Sequence, residues 1–266
     1  MRLQGKSALV IGGGQKPGNG PVGNGRAVSL TYAREGAAVM VADRDSASAE
    51  AVVAEIRASG GEAKPITVDA LVEEDLSRAV AETEAQFGDL DILHNNVGLS
   101  IELGDAPVTE IESDVFDNSM ALNLRSMVLA SKHALPGMRA RRKGVIINIS
   151  SIAATETYPW VGYKLAKAGV LALTEQLAIQ NAEYSIRCVS LAPGKIDTVM
   201  AVDARAKAWG KTREEVAAER AASIPLGRQG TAWDVANAAL FMASDEASFI
   251  SGVHLRIDGA AGCRVG

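Results

Sequence analysis

The chain has 266 residues, of which 47% are hydrophobic, 22% charged and 4% aromatic, and its formal net charge is −5. This composition is typical of a globular protein, and the negative charge gives no electrostatic footprint for nucleic acid or for an acidic membrane surface. The two cysteines, Cys188 and Cys263, form no CxxC pattern, which argues against a disulfide framework and a zinc site, so we expect no metal.

The N-terminal residues lead directly into a strand-like segment, without the apolar core of a signal peptide. No apolar run reaches the roughly 18 residues that a membrane-spanning helix needs. We therefore expect a cytoplasmic protein that acts on a small molecule and has no nucleic-acid or membrane partner.

Short apolar runs alternate with longer amphipathic or alanine-rich stretches. The strand candidates are residues 7–12, 38–42, 63–67, 90–94, 145–150, 187–191 and 253–257. The helix candidates are residues 25–35, 46–59, 73–87, 113–141, 162–183 and 232–243. Several of the predicted helices are followed by a glycine that can end them, at Gly36, Gly60 and Gly88. The alternation predicts right-handed βαβ units and a parallel sheet covered by helices on both faces.

No composition shift marks a domain boundary, so residues 1–266 are interpreted as one domain. Residues 199–230 follow the sixth predicted strand and break the alternation. They are rich in Ala, Arg, Lys and Glu, which predicts one or two surface helices. Such a segment is typical of a cover over a substrate site.

A glycine-rich loop joins the first strand to the first helix. It begins at Gly12 and ends at Gly23, Asn24 and Gly25. Glycine lets the backbone approach a pyrophosphate, and the helix N-terminus offers unpaired N–H groups to the phosphates. Ten residues separate Gly12 from Gly23, and among them are Pro17, Gly18, Gly20 and Pro21. The loop predicts a dinucleotide site, and a flexible surface loop is the alternative.

Asp43 follows the second strand, twenty positions after Gly23. A carboxylate there can accept hydrogen bonds from the adenosine ribose and repels a ribose 2′-phosphate, which favours NAD over NADP. Arg44 could partly offset that repulsion. The alternative for Asp43 is a solvated turn residue.

Polar residues also follow the third and fourth strands. Asp69, with Ala70 after it, is placed to contact the adenine, or else to form the N-cap of the next helix. Asn95 and Asn96 can pin neighbouring backbone, while Gly98 lets it pass close to the cofactor. A purely structural role for Asn95 is equally open.

Tyr163 and Lys167 lie one helical turn apart and project from one face, whereas Lys164 lies on another. A free tyrosine, with a pKa of about 10, is a poor base near neutral pH. A neighbouring ammonium favours the phenolate, so we expect Lys167 to lower the pKa of Tyr163. By itself the pair can also mark a solvated helix face.

Ser151 stands twelve positions before Tyr163, at the end of the fifth strand. A hydroxyl there can orient a substrate carbonyl, because ligands bind at the carboxyl ends of strands in open α/β sheets. Ser150 is the competing candidate, and Ser151 could instead cap a helix. The chain has no GxSxG motif, which argues against a serine hydrolase.

The order and spacing of these motifs resemble the short-chain dehydrogenase/reductase family over essentially the whole chain. Two further motifs carry the resemblance: Asn123 in Ala121-Leu122-Asn123, and Pro193-Gly194-Lys195-Ile196-Asp197-Thr198. The resemblance implies a single doubly wound Rossmann-type domain, class α/β, with a seven-stranded, mostly parallel sheet. It implies an oxidoreductase that uses NAD, or less favourably NADP.

The resemblance also implies residue roles. Tyr163 is the expected general acid/base, Lys167 lowers its pKa and holds the nicotinamide ribose, and Ser151 positions the substrate. Asn123 would hold a water that links Lys167 to solvent. The turn after the sixth strand would contact the nicotinamide through Pro193, Gly194, Ile196 and Thr198. Family members commonly form tetramers, or dimers, through the helices predicted here at 113–141 and 162–183.

Three positions depart from the family pattern. The phosphate loop has ten residues between Gly12 and Gly23 where the family has three. Val97 replaces the usual alanine, and Lys195 adds a cation after the sixth strand. The long loop leaves its individual phosphate contacts and its role open.

Aromatic residues precede Tyr163, and Tyr158 and Trp160 favour a ring-shaped or apolar substrate body. Packing against the cover or a neighbouring subunit is the alternative for both. Lys195 or Arg205 could bind a substrate carboxylate, but an exposed surface charge is the favoured interpretation of each. The other expected pocket residues are Ser100, Ile101, Ala153 and Met200.

These observations favour reversible hydride transfer between NAD(H) and an alcohol or ketone. An epimerase or dehydratase would usually need a larger carboxy-terminal substrate domain. A dinucleotide-sensing protein without turnover is the alternative from another class, although loss of Tyr163 or Lys167 would be expected there.

Overall fold

Apolar strands buried between two layers of helices form the centre of the protein. The computed structural model describes residues 1–16, 18 and 20–263, so Pro17 of the glycine-rich loop and residues 264–266 of the predicted domain lie outside the described residues. The strands in the described residues are β1 (Ser7–Ile11), β2 (Ala38–Asp43), β3 (Ala63–Thr67), β4 (Ile92–Asn95), β5 (Gly144–Ile149), β6 (Ile186–Pro193) and β7 (His254–Ile257).

These strands make one seven-stranded sheet with the order β3-β2-β1-β4-β5-β6-β7, and every pairing in it is parallel. The strand order reverses between β1 and β4, which opens a crevice at the carboxyl ends of the strands. The predicted doubly wound α/β fold is therefore confirmed, and its sheet is entirely parallel among the described residues.

Helices cover both faces of the sheet. The α-helices of the described residues are α1 (Asn24–Arg34), α2 (Ser46–Ala58), α3 (Glu73–Phe87), α4 (Ser113–Met120), α5 (Ser126–Arg141), α6 (Val161–Asn181), α7 (Ala204–Trp209), α8 (Arg213–Ala222) and α9 (Ala232–Ala243). One core cluster lies under α1, α2 and α9, and the other lies under α3, α5 and α6. All residues of β1 and β5 are buried, which explains why these strands are continuous apolar runs in the sequence.

Helix ends follow local sequence signals. Gly36, Gly60 and Gly88 adopt left-handed φ angles of 93°, 80° and 88°, as their places after α1, α2 and α3 require. β3 has the predicted bounds, and the ends of the other strands differ from the predicted ones by at most two residues. The largest differences are at the start of β4, where the Asp91 carboxylate accepts the backbone N–H of Ser7, and at the end of β6.

A π-helical turn, Ala121–Arg125, interrupts the single helix predicted at 113–141 and separates α4 from α5. A π-helical turn has one residue more than an α-helical turn, so it changes the spacing of the apolar residues very little. The sequence pattern therefore does not distinguish it from a continuous α-helix. The turn matters for the site because it contains the buried Asn123.

Residues 199–230 contain a π-helical turn, Val199–Asp203, followed by α7 and α8, in agreement with the expected surface helices. Thr212 and Glu215 form a capping box at the start of α8. Among the described residues, no helix is both long enough and apolar enough to cross a membrane.

Candidate active site

The carboxyl ends of β1, β4, β5 and β6 open into a cavity of about 1550 Å³. This exceeds the roughly 300–1,000 Å³ of a site for one small molecule. The cavity runs from the glycine-rich loop to the 199–230 segment, so it has room for a long cofactor and a substrate.

Close backbone packing forms the first end of the cavity. A Cβ at Gly25 would collide with the carbonyl oxygen of Gly12, which has a φ of 79°. The amide of Asn96 donates to that carbonyl oxygen at 2.9 Å. Only glycine at position 25 lets α1 approach the loop so closely.

The start of α1 is suited to an anion. Gly23 is the N-cap and provides no side-chain cap, so the first turn of α1 keeps unpaired N–H groups. The side-chain oxygen of Asn24 is buried and has no hydrogen-bond partner. Gly12, Gly23, Asn24 and Gly25 all line the cavity, as a phosphate-binding turn requires.

Gln15 organises the long insertion in the loop. Its side chain accepts the backbone N–H of Gly23 at 2.7 Å and donates to the carbonyl oxygen of Pro21 at 3.0 Å. The insertion is thereby folded back onto the start of α1. Sequence reasoning missed this residue, since a glutamine in a polar loop carries no signal of its partners.

Asp43, at the end of β2, lines the cavity next to this loop. Its two carboxylate oxygens accept the backbone N–H groups of Gly14 and Asp45, each at 3.1 Å. Arg44 lines the same end, and the neighbouring Lys16 forms an ion pair of 3.0 Å with Asp45. Asp43 is therefore a positioned carboxylate rather than a freely solvated turn residue.

Asp69 and Ala70, after β3, also line the cavity. The carboxylate of Asp69 accepts the N–H of Leu71 at 2.9 Å, and the N-cap of α3 is Val72. The alternative that Asp69 caps this helix is therefore wrong, because the chain makes one more turn before the helix begins.

Asn95 does not line the cavity. It is buried at the end of β4, and its amide donates to the Asn148 side chain on β5 at 2.9 Å. Direct contact between the Asn95 side chain and a cofactor is thus corrected to the structural role that the sequence left open. The amide ties the ends of two neighbouring strands together.

Gly98 lies next to two predicted functional residues, Asn123 and Lys167. A Cβ at this position would lie 2.9 Å from both the Asn123 side-chain oxygen and the Lys167 Nζ. The side chain of Asn123 accepts the N–H of Leu99 at 3.1 Å and donates to the Leu99 carbonyl at 2.9 Å. Asn123 itself lies behind the cavity wall, so its side chain holds the backbone after β4 in place.

Ser151, Tyr163 and Lys167 all line the middle of the cavity. Lys167 Nζ donates to the carbonyl oxygen of Ile149 at 2.8 Å and lies 5.6 Å from the centre of the Tyr163 ring. The Ser151 hydroxyl caps a short 3₁₀ turn by accepting the N–H of Ala153 at 3.1 Å, and it also interacts with the Tyr163 hydroxyl.

The two competing candidates near this group point elsewhere. The Ser150 hydroxyl is buried and donates to the carbonyl oxygen of Lys167 at 2.8 Å. The ammonium of Lys164 donates to the carbonyl oxygens of Ala153 and Glu156, at 3.2 Å and 2.6 Å. Ser151 and Lys167 are therefore the serine and lysine that face Tyr163.

Burial dominates the protonation of this group. It lowers the pKa of Lys167 to about 7 and raises the pKa of Tyr163 above its usual range, with Tyr158 adding to the rise. Ser151 and then Arg205 act in the opposite direction on Tyr163. Burial of Tyr163 thus outweighs the effects of Ser151 and Arg205 on its pKa, and the expected lowering of this pKa by Lys167 stays a prediction.

Asp105 positions the start of α6, on which Tyr163 and Lys167 lie. Its buried carboxylate accepts the N–H groups of Gly162 at 2.9 Å and of Tyr163 at 2.8 Å. No local pattern predicts this cap, because Asp105 lies 58 positions before Tyr163.

The turn after β6 contributes Pro193, Ile196 and Thr198 to the cavity wall. Thr198 also caps the π-helical turn by accepting the N–H of Ala201 at 3.2 Å. Gly194 is not part of the wall. A Cβ there would lie 2.6 Å from the Ile152 side chain and 2.7 Å from that of Asp258, so glycine is needed for packing.

Aromatic rings and cations form the far end of the cavity. The ring of Tyr158 lies 5.6 Å from that of Tyr163 and 5.2 Å from that of Trp160. Arg205, from the 199–230 segment, donates to the Tyr158 hydroxyl at 3.4 Å. The two aromatic residues thus both line the cavity and pack against the cover.

Lys195 and Arg205 also line the cavity, and neither is fully exposed. The favoured interpretation of both as exposed surface charges is therefore wrong. The Lys195 ammonium donates to the hydroxyl of Ser223, and the left-handed backbone at Lys195 turns its side chain towards α8.

Comparisons with known proteins agree with this arrangement. Residues 22–261 match the sequence profile of a family described as enoyl-(acyl carrier protein) reductase. The chain is 34% identical to 2-(S)-hydroxypropyl-CoM dehydrogenase 3 of Xanthobacter autotrophicus, over 97% of each chain.

Two solved structures share the fold over almost their full lengths. A protein from Burkholderia xenovorans, described as a short-chain dehydrogenase/reductase, has a TM-score of 0.89 and 37% identity, with 100% of this chain and 99% of that chain covered. A 7α-hydroxysteroid dehydrogenase, complexed with NADH and 7-oxo glycochenodeoxycholic acid, has a TM-score of 0.86 and 32% identity, with 97% and 94% covered.

Proposed function

Because the chain belongs to the short-chain dehydrogenase/reductase family, we propose that it interconverts an alcohol and a ketone with NAD(H) as the hydride carrier. One observation carries the proposal: Ser151, Tyr163 and the buried Lys167 line the same cavity, with Lys167 Nζ 5.6 Å from the centre of the Tyr163 ring.

In ketone reduction, the carbonyl oxygen of the substrate accepts hydrogen bonds from Ser151 and Tyr163. The nicotinamide supplies hydride to the carbonyl carbon when it is bound. Tyr163 donates its proton to the oxygen as negative charge develops there, and Ser151 stabilises the same charge. In alcohol oxidation, Tyr163 accepts the proton in return. A phenol that burial keeps protonated is well suited to the donor role.

Lys167 has two tasks in this proposal. Its ammonium provides positive charge near Tyr163, and its N–H groups other than the one bound by Ile149 are available to a ribose hydroxyl. Following the family resemblance, we assign Asn123 the task of holding a water that resupplies the proton through Lys167.

The first half of the cavity fits a dinucleotide. The uncapped start of α1 would hold the pyrophosphate through its unpaired backbone N–H groups. Asp43 would accept hydrogen bonds from the adenosine ribose, and Asp69 would lie near the adenine. The carboxylate of Asp43 would repel a 2′-phosphate, so we propose NAD(H) rather than NADP(H).

Replacement of Tyr163 by phenylalanine tests the proposal. Tyr163→Phe should lower kcat by at least about 100-fold, since one general acid contributes roughly 100- to 10,000-fold, while NADH fluorescence still reports binding. Tyr184→Phe removes the same hydroxyl on a residue that packs against Arg139, away from the cavity, and is the matched control. The substrate for these kinetic measurements is first identified by screening secondary alcohols and ketones for oxidation or reduction with NAD(H). Unchanged turnover in Tyr163→Phe would show that Tyr163 is not the general acid, whereas NADH binding without turnover of any compound in the screen would support a dinucleotide-sensing protein.

We also propose that copies of the chain associate, as tetramers or dimers, through α4, α5 and α6. Val128 on α5 and Leu165 and Ile179 on α6 are apolar and exposed, at 42%, 47% and 73%. Apolar side chains in such numbers on adjacent helices are typical of subunit interfaces. Size-exclusion chromatography with light scattering measures the molar mass of the assembly and hence the number of chains in it.

A further inference from the structure

Two arginines of the 199–230 segment, Arg205 and Arg220, line the substrate end of the cavity, and neither forms an ion pair with an acidic side chain of the described residues. Arg205 donates to the Ala201 carbonyl at 2.8 Å and to the Tyr158 hydroxyl at 3.4 Å. Arg220 donates to Gln229 at 2.7 Å and to the Ile196 carbonyl at 3.2 Å. All four acceptors are uncharged, so hydrogen bonds hold both guanidinium groups while their charges stay unneutralised.

Neighbouring cations of the same segment do have acidic partners. Arg213 pairs with Asp197 and with Asp203, the latter at 3.3 Å, and Lys211 pairs with Glu219 at 2.6 Å. Arg213 and Lys211 are thus neutralised by carboxylates, whereas no carboxylate of the described residues forms an ion pair with Arg205 or Arg220. Such an arrangement is costly unless an anion occupies the cavity for part of the time.

The electrostatics of the two arginines agree with this interpretation. Burial, and then the positive charge of Arg205, lowers the pKa of Arg220 to about 10, although the charge of Asp197, which pairs with Arg213, acts in the opposite direction. The two like charges are thus close enough to act on one another in a partly desolvated space. Glu102, Glu156 and Glu219 also line the cavity, but Glu219 pairs with Lys211, and none of the three forms an ion pair with Arg205 or Arg220. A bound carboxylate would relieve the repulsion between the two arginines.

The position of Arg205 determines the distance between its guanidinium charge and the Tyr163 hydroxyl. The Tyr158 ring stands between them, 5.6 Å from the Tyr163 ring and within hydrogen-bond distance of Arg205 through its hydroxyl. Arg205 also stacks on Trp160, with 5.8 Å between its guanidinium carbon and the ring centre. These contacts orient the guanidinium about one aromatic ring away from Tyr163.

We propose that the substrate is a short keto acid or hydroxy acid whose carboxylate is bound by Arg205 and stabilised by Arg220. The carbonyl or hydroxyl group would lie a few atoms from the carboxylate, at Ser151 and Tyr163. A guanidinium can donate two parallel hydrogen bonds to a carboxylate, which fixes the direction of the substrate. This inference rests on the proposed dehydrogenase function and names its substrate class.

Pairs of keto acids and their methyl esters test the substrate class, because the two differ only in charge at one end. The acids to be tested are 3-oxobutanoate, 4-oxopentanoate and 5-oxohexanoate. At least one of them should be reduced with a kcat/KM about 100-fold above that of its methyl ester, because charge-assisted hydrogen bonds to the carboxylate stabilise binding of the acid alone. In Arg205→Met this ratio should fall by about 100-fold, through KM, and Arg205→Lys should restore part of it. Lys207→Met, an exposed residue of the same helix outside the cavity, should keep the ratio of the original protein.

A binding measurement separates this inference from the proposed function. Butanoate has the carboxylate but no ketone or hydroxyl group that could react. Its calorimetric titration into the NADH complex therefore reports binding at the anion site without turnover. Binding should weaken at least about tenfold in Arg205→Met and stay unchanged in Lys207→Met. Esters reduced as well as acids, with no butanoate binding, would overturn the anion site while the dehydrogenase proposal stands. Failure to bind NADH would overturn the proposed function, and butanoate titration into the free protein then decides the anion site on its own.

Discussion

The carboxylate of Asp105 accepts the backbone N–H of Tyr163 at 2.8 Å and so holds the first turn of the helix that carries the reactive hydroxyl. The same carboxylate accepts the N–H of Gly162 at 2.9 Å and is buried. Its negative charge also stabilises the positive end of α6. Asp105 thus positions Tyr163 through the backbone, without contact to the substrate.

Asp105→Asn should lower the free energy of unfolding by about 1–3 kcal/mol, because one N–H of the first turn loses its acceptor and the helix end loses its charge. Turnover should fall as Tyr163 becomes less well placed, with NADH affinity retained. Urea denaturation and steady-state kinetics measure the two effects. Asp117→Asn, the same change on an exposed residue of α4, should leave both unaltered. Equal stability of the two variants would contradict a capping role.

Gly25→Ala should impair cofactor binding strongly, because its Cβ would collide with the Gly12 carbonyl and push α1 away from the loop. Overpacking of this kind costs about 1–3 kcal/mol, and the displaced helix end should weaken NADH binding at least about tenfold. Thermal unfolding and NADH fluorescence provide the measurements. Gly18→Ala is the control in the same loop, since no atom lies within 4 Å of its Cβ position. Tight NADH binding by the Gly25 variant would show that the phosphates lie elsewhere.

Asp43→Asn should raise the preference for NADP over NAD by roughly tenfold or more, because the amide keeps an acceptor for the Gly14 N–H while removing the negative charge. The ratio of kcat/KM values for the two cofactors is the relevant quantity. Asp43→Ala should relax the same preference but also loosen the loop. An unaltered ratio in both variants would mean that Asp43 does not approach the ribose.

Lys167 should make stability depend on pH. Its pKa is about 7 in the folded protein against a usual 10.5, so between these values the unfolded chain binds a proton that the folded protein does not. Stability therefore rises with pH across this window, by up to about 1.4 kcal/mol per pH unit, and the penalty is fully present below pH 7. The difference in unfolding free energy between the original protein and Lys167→Met, from urea titrations at pH 6 to 9, should be flat at first and then rise. Parallel curves would place the Lys167 pKa near its usual value.

The parallel sheet and the pairing of the reactive residues on one helix face follow from local sequence patterns. Alternating apolar and amphipathic stretches predicted the parallel sheet, and the four-residue spacing of Tyr163 and Lys167 predicted that they share a face. Gly12 and Gly25 were also evident, because no other residue allows such close backbone approach. These features depend on neighbours in the chain, which the sequence shows directly.

Only the tertiary structure decided how these groups are surrounded. Asn95 turned from the cavity to Asn148, 53 positions away, and Asp105 reached the start of α6 from 58 positions before it. Burial, which no spacing in the chain reveals, set the pKa values of Tyr163 and Lys167. The packing of the 199–230 segment likewise placed Arg205 and Arg220 at the cavity, without an ion pair to any carboxylate of the described residues. Desolvation and pairing depend on which distant segments cover a side chain, and packing alone determines that.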